Sequence, residues 1–341
     1  MPETTSPIPV DPDASAPGVA ADSTSVPVDA VRWCLGDDAS TDADDLRHRA
    51  RAALAAASIA GGAVRVDAAS EWGEPVARAA DDAWLVVEGG HRPNGLRVGI
   101  VGTRRIPASE VARIDRHVCA VLEDPRVTLV SGGARGADAI AHDAASRLGR
   151  AATIVLAGGL AHAGPKGHRA VWRTLVAAGG CLVTMRPPHE PPMRGAWLRR
   201  NALIAAMSDV VCLVAAPDRS GASSTVRHAL ALGRPVCVMP WAVGQAWAAG
   251  SNRWLDDPGV RVWADADAVF DAVGAAPAGA VDAGDEVAAL ALTPDARALR
   301  DAIAEAPLLG MDGAAMRLGW PAPRLQAARL ELTLAGWPLG P

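Results

Sequence analysis

Residues 131–142 read SGGARGADAIAH and follow the apolar run Val127-Thr128-Leu129-Val130. A short β-branched run, paired glycines and an alanine-rich segment describe a strand, a tight turn and a helix start. That combination suits a phosphate. Gly132, Gly133 and Gly136 let the backbone turn sharply and approach a ligand closely, and Arg135 stands in the same turn. The first turn of the helix presents unpaired N–H groups and a partial positive charge. A structural βα turn that binds nothing is the plainer reading of the same residues.

Similar groups recur at corresponding places. Gly102, Thr103, Arg104 and Arg105 follow one apolar run, and Ser131, Gly132 and Arg135 follow the next. Lys166, the chain's single lysine, lies in GPKGH after a third; Arg199, Arg200 and Asn201 head a helical segment; Ser220, Gly221, Ser223 and Thr225 follow a fifth run. Guanidinium forks, hydroxyls and backbone N–H groups freed by glycine are what phosphates bind. Each item also has a plainer role, Ser223 or Thr225 as a helix cap and Arg200 as an acid's partner. Their recurrence favours a common site.

The elements that must position these groups alternate. Apolar runs at 97–102, 127–130, 152–156, 181–184, 210–214 and 235–239 read as six strands, separated by helical segments at 109–122, 137–148, 168–178, 198–207 and 223–232, with a proline-rich loop at 186–194. This is an α/β pattern, a doubly wound and mostly parallel sheet, which binds ligands at the carboxyl ends of its strands. Residues 1–30, rich in Pro, Ser, Thr and Asp, read as a disordered tail. Residues 31–95 read as a small N-terminal α+β unit with a helix at 42–58 and strands at 64–66 and 84–87. The α/β domain spans 96–274, an Ala/Gly/Pro linker 275–292, and a module of three short helices (294–304, 313–318, 321–335) ends the chain.

Composition narrows the class. The chain has 341 residues, half of them hydrophobic, enough for two or three domains. Its net charge of −5 conceals an asymmetry: residues 1–96 carry −9, residues 97–240 carry +10 and residues 241–341 carry −6. A basic middle between acidic flanks points to a polyanionic or phosphate-bearing partner. The five cysteines are far apart and lack CxxC spacing, and Cys181, Cys212 and Cys237 sit in apolar runs, which suits a reducing cytoplasm. Neither a secretory leader nor an apolar run of membrane-spanning length is evident. His162, His168 and Cys181 lack zinc-site spacing, so no metal is expected.

The blocks VGIVGTRR, SGGARGADAIAH, RRNALIAAMSD, SGASSTVRHALALGRPVCVMP and GSNRWLDDPGV resemble, in order and spacing, those of the DNA-processing protein A family, DprA or Smf. The resemblance covers about half the chain. It implies an extended Rossmann-like fold, binding of single-stranded DNA, dimerisation through the Rossmann-like domain and, in naturally transformable bacteria, protection of incoming strands and loading of the RecA recombinase. The family's DNA contacts fall on Arg104, Arg135, Lys166 and Asn201, with Gly132, Ser220 and Gly221 shaping the pocket. Where relatives read Arg-Asn-Arg this chain has Arg200-Asn201-Ala202, and Arg199 is the residue to replace the lost charge. The final module resembles the family's small winged-helix domain. With 5 arginines against 5 acids in 293–341, it reads as a protein-contact or autoregulatory piece rather than a DNA reader.

Stacking platforms are scarce: there is no tyrosine, one phenylalanine (Phe270), and only Trp172, Trp197 and Trp241 are placed to serve, each expected in the core. No cofactor or catalysis is expected. The alternatives are a nucleotide-hydrolysing protein, since related folds include phosphoribohydrolases, and a nucleotide-sensing module for defence. The phosphoribohydrolase glutamate signature is missing. Asp138 and His142, one helical turn apart, read either as an acid–base pair or as a capping Asp and a packed His, the second being preferred.

Overall fold

The computed structural model describes residues 28–35, 43–81, 84–90, 95–274, 293–305 and 317–334. The chain divides into two compact units, residues 1–275 and 276–341.

Strand-forming stretches of the first unit are apolar on both faces, which suits a sheet covered on both sides. Nine strands run in the order β1-β2-β6-β5-β4-β3-β7-β8-β9. They are β1 (Val64–Ala68), β2 (Trp84–Gly89), β3 (Leu96–Val101), β4 (Val127–Gly132), β5 (Ala152–Leu156), β6 (Cys181–Thr184), β7 (Val210–Leu213), β8 (Val236–Val238) and β9 (Val260–Val262). Seven of them, from β6 to β9 across the sheet, are mutually parallel. Alternate residues of one strand enter opposite cores: Ile100, Leu129, Ile154 and Leu182 face one layer, and Val101, Val130, Val155 and Val183 face the other.

Helices α1 (Val28–Leu35), α2 (Ala43–Ala57) and α3 (Glu74–Ala79) precede the parallel strands. Those between and after them are α4 (Ala108–Leu122), α5 (Ala137–Arg147), α6 (Arg169–Ala177), α7 (Ala196–Met207), α8 (Ala222–Ala231), α9 (Ala249–Trp254) and α10 (Ala266–Ala272). In α4 the buried residues Ile114, Val118, Val121 and Leu122 recur at helical spacing. In α5 the buried face is mostly alanine, which allows a close approach to the sheet.

The connections step from β3 through β4 and β5 to β6 on one side, then cross to β7, β8 and β9 on the other. The order therefore reverses between β3 and β7, the position at which doubly wound sheets open a crevice. All six expected strands are present, within two residues at either end.

Three expectations need correction. The sheet is continuous across the boundary expected at residue 95: β1 and β2 add to β6 in antiparallel sense. The reason is visible in β2, whose Leu85, Val86 and Val87 are fully buried and so need neighbours on both sides. Glu88 fastens it further. Its buried carboxylate accepts from Ser58 Oγ at 2.7 Å, Ile59 N at 3.0 Å and Ala60 N at 2.7 Å, tying the end of α2 to the sheet. Second, β9 is a three-residue strand, Val260-Arg261-Val262, too short for periodicity to show. Third, α1 starts at Val28, inside the stretch read as a tail, while residues 1–27 and the expected linker lie outside the described residues.

The second unit contains helices Pro294–Glu305 and Ala322–Leu334, close to two of the expected three. The third, at 313–318, lies mostly outside the described residues. Ala296, Leu299, Ala328 and Leu332 form its core, and Arg324 grips Asp295 through two hydrogen bonds of 2.7 and 2.6 Å. Its described residues contain no strand, so a wing is not among them.

At the amino end of the parallel strands, Asp209 accepts from Arg97 N at 2.9 Å, Nε at 3.0 Å and Nη2 at 2.6 Å, joining β3 to the start of β7. Burial pushes this carboxyl up, but the Arg97 hydrogen bonds and the nearby Arg234 charge outweigh it and hold it below its ordinary value. A depressed carboxyl stabilises fully above its unfolded-chain pKa of about 3.9, and loses that contribution as pH falls through the lower folded value. Asp209→Asn should therefore lower stability by about 1–2 kcal/mol at pH 7. In urea unfolding, the variant and unaltered curves should converge in acid.

Candidate functional site

An open cleft of about 520 Å³ lies at the carboxyl ends of β3, β4 and β5. The turn after β3 contributes Arg104 and Arg105, the turn after β4 Gly133, Ala134 and Arg135, and the segment after β5 Leu156 to Gly158, Gly164 and Pro165. Pro192, Trp197 and Arg200 close it from the α7 side.

Two glycines make this geometry possible. Gly136 has φ of +76°, and a Cβ there would lie 2.3 Å from the Thr103 carbonyl oxygen and 2.7 Å from the Arg104 backbone. Only glycine lets the first two turns touch. Ala137 N then donates to Thr103 O at 3.1 Å, and Thr103 N to Ala215 O at 2.7 Å. Gly132 does something different: a Cβ there would lie 2.0 Å from Arg200 Nη1, so the missing side chain is the space the guanidinium occupies.

Arg200 is the most constrained charge of the site. It is 7% exposed, and its Nε has no hydrogen-bond partner among the described residues. The acid that faces it, Asp138, is 4.0 Å away, the outer limit of an ion pair. Asp138 Oδ2 also accepts from Ala134 N at 3.2 Å. Burial, the largest influence, pushes the Asp138 carboxyl up against Arg200 and the Ala134 N–H, and pushes the Arg200 guanidinium down, to which Arg104 adds. An arginine nevertheless keeps its proton in a protein. The floor of the cleft is thus a cation with half a partner, flanked by Arg104 and Arg135, both exposed at the mouth.

The other expected residues divide. Lys166 is exposed in the 3-10 turn directly after Pro165, at the rim. Arg199 turns away and pairs with Asp81, so it does not replace the missing arginine in the cleft. Asn201 is buried and donates from Nδ2 to Gly221 O at 3.0 Å and Ser224 Oγ at 2.8 Å, clasping α7 to the start of α8. Ser131 Oγ donates to Ile100 O at 2.7 Å inside the sheet. Gly102 lets β3 approach Ala137, whose Cβ would be 2.7 Å from one placed there.

The serine-rich turn after β7 stays outside the cleft lining. Ser220 Oγ accepts from Ala222 N at 3.2 Å, Ser223 Oγ accepts from Trp254 Nε1 at 3.3 Å, and Thr225 is buried. Gly221 begins α8. The turn serves that helix because α8 follows β7, across the switch point from the cleft. Of the unpaired N–H groups expected at the start of α5, that of Ala137 is engaged by Thr103 O, and the Ala134 N–H of the preceding turn by the Asp138 carboxylate.

Among the described residues no hydrogen bond links Asp138 to His142. His142 is 1% exposed, with no hydrogen-bond partner for either ring nitrogen among the described residues. Burial, with the nearby His168 and Arg200 charges, pushes its pKa down to about 3. It is a neutral, packed imidazole. Burial raises the Cys181 thiol to about 11, and no group of three or more potential metal ligands occurs among the described residues.

Of the tryptophans, Trp172 is fully buried beneath Gly133 and Gly164, and Trp241 is buried with Nε1 donating to Val214 O at 2.8 Å. Trp197 departs from expectation: it is 40% exposed and lines the cleft. Its sequence signal was its place three residues before Arg200, one helical turn away on the same face. No helix among the described residues is long and apolar enough to cross a membrane.

Comparison with known proteins bears on the family and the fold. The sequence pattern of the DNA recombination-mediator protein A family matches residues 66–274, taking in β2 together with the whole parallel sheet. The Smf protein of Escherichia coli K12 is 31% identical over 262 residues, which cover 74% of this chain and 68% of that protein. A putative DNA processing protein DprA of Mycobacterium tuberculosis is 37% identical over 175 residues, 51% of this chain and 44% of the relative. The X-ray structure of DNA processing protein A from Streptococcus pneumoniae superimposes with a TM-score of 0.53 at 19% identity, over 68% of this chain and 83% of that one, a likeness of fold. The chain belongs to the DNA recombination-mediator protein A family, the DprA/Smf proteins.

Proposed function

We propose that the chain is a non-enzymatic single-stranded DNA-binding protein of DNA processing and recombination, whose cleft holds the phosphates of a strand. The observation that carries this reading is Arg200, a buried guanidinium with a carboxylate 4.0 Å away and an Nε that has no hydrogen-bond partner among the described residues, opening onto a cleft with Arg104, Arg105 and Arg135 around it. A buried cation without full pairing is costly, and an anionic ligand removes that cost. Phosphate-backbone contacts need no sequence readout, so strand binding here would be indifferent to base order.

Protection of incoming strands, loading of the RecA recombinase, a homodimer through the Rossmann-like domain and a cytoplasmic location, which the family resemblance suggests, complete the proposal. Against the hydrolytic alternative stand the neutral, packed His142 and the engagement of Asp138 with Ala134. A small nucleotide is the second reading, favoured by a cleft whose volume lies within the range of small-ligand pockets.

Fluorescence anisotropy separates these readings. A dT oligomer of about 20 nucleotides should bind far more tightly than mononucleotides if the cleft tracks a strand; the reverse order would reject strand binding. Arg104→Ala and Arg135→Ala should each weaken the oligomer roughly tenfold whatever its sequence, and flatten the log-affinity against log-salt slope by about 0.7 per lost contact. Arg200→Met should cost at least as much. Unchanged salt slopes in all three variants would remove the phosphates from this cleft.

A further inference from the structure

Three of the six large apolar side chains exposed among the described residues fall within six positions: Met193 at 57%, Trp197 at 40% and Leu198 at 56%. The other three, Val111, Val243 and Val262, are separated along the chain. Large apolar side chains left in water in one short stretch point to a contact surface. Here its tryptophan lines the same cleft as the arginines.

Local structure explains the placement. Gly159 N donates to Glu190 O at 2.8 Å and Ala161 N to Pro188 O at 3.0 Å, pinning the proline-rich loop against the segment after β5. Gly195, at φ of +85°, then turns the chain into α7, with Ala196 facing the interior. Trp197 and Arg200, three residues apart, share one helix face and both reach the cleft. Arg199, between them, points elsewhere to Asp81. An indole and a guanidinium one helical turn apart match the two chemical halves of a nucleotide, a flat apolar base and an anionic phosphate.

We infer that Trp197, with the exposed Met193 and Leu198 close to it in sequence, is the stacking platform for a nucleobase of the bound strand, with Arg200 and Arg135 holding its phosphates. The inference rests on the strand-binding reading and adds where the bases go. Trp172 and Trp241 are withdrawn into the core and cannot serve. Charge complementarity selects the occupant: an apolar protein segment would leave the adjoining arginines unmatched, whereas a single strand supplies a base and a phosphate at every step. Stacking on an indole is sequence-tolerant, because every base presents a π-face.

The test compares a 20-nucleotide dT oligomer with an abasic oligomer of the same length, by anisotropy, on the full chain. The unaltered protein should prefer the base-bearing oligomer. Trp197→Ala should lower affinity for dT about 5- to 100-fold and leave the abasic affinity within about twofold. Trp197→Phe should recover most of the loss, and Met193→Ala should give a smaller loss on dT alone. Arg135→Ala should weaken both oligomers alike. Equal losses of Trp197→Ala on both oligomers, or none on dT, would overturn the platform while leaving strand binding intact. Failure of the unaltered protein to bind either oligomer would end the strand-binding reading, and the platform with it.

Discussion

A guanidinium held almost out of water, with one carboxylate 4.0 Å away, is the constraint on which the site depends. It exists because Gly132 leaves a void at the end of β4 and Arg200 fills it from α7. Asp138 neutralises the charge in part and is itself anchored to the Ala134 N–H. A closer, fully hydrogen-bonded pair would have been self-sufficient, and the cleft would have had little attraction for an anion. The loose pairing leaves positive potential at the floor, where low dielectric strengthens it. Arg104, Arg105 and Arg135 extend it to the mouth.

Everything needed to hold Arg200 there comes from elsewhere in the sheet. Gly136 lets the turns after β3 and β4 touch, and the Thr103 hydrogen bonds lock that contact to Ala137 and Ala215. Asn201, one residue beyond Arg200, clasps α7 to α8 and so fixes the rotation of the helix about its axis. That rotation sends Trp197 and Arg200 toward the cleft and Arg199 toward Asp81. Asn201, one of the four residues that the resemblance matched to DNA contacts, therefore has its amide hydrogen bonds inside the protein and positions α7.

The N-terminal strands belong to the same construction. β2 covers the free edge of β6, and the buried Glu88 carboxylate binds the residues that follow α2. Without that cover, β6 would expose its edge beside the loop that carries Pro192. Nothing in a short apolar run says which strand it will pair with, so the continuity of the sheet across residue 95 is not legible in the sequence.

The sequence by itself determined the local elements and the order of the turns. Strands of β-branched residues, helices of alanine and leucine, and glycines where the chain must bend are decided within a few residues of one another. It therefore also determined which turns carry arginine, and Arg104 and Arg135 are where the motifs put them. Only the tertiary structure decided which side chains of a given turn or helix face the ligand. Ser131, Asn201, Ser223 and Thr225 turned inward, Arg199 turned to Asp81, and Trp197 turned outward. The physical reason is that a helix's rotation and a turn's depth are set by packing against segments remote in sequence, such as Gly132 against Arg200, and no local pattern records that distance.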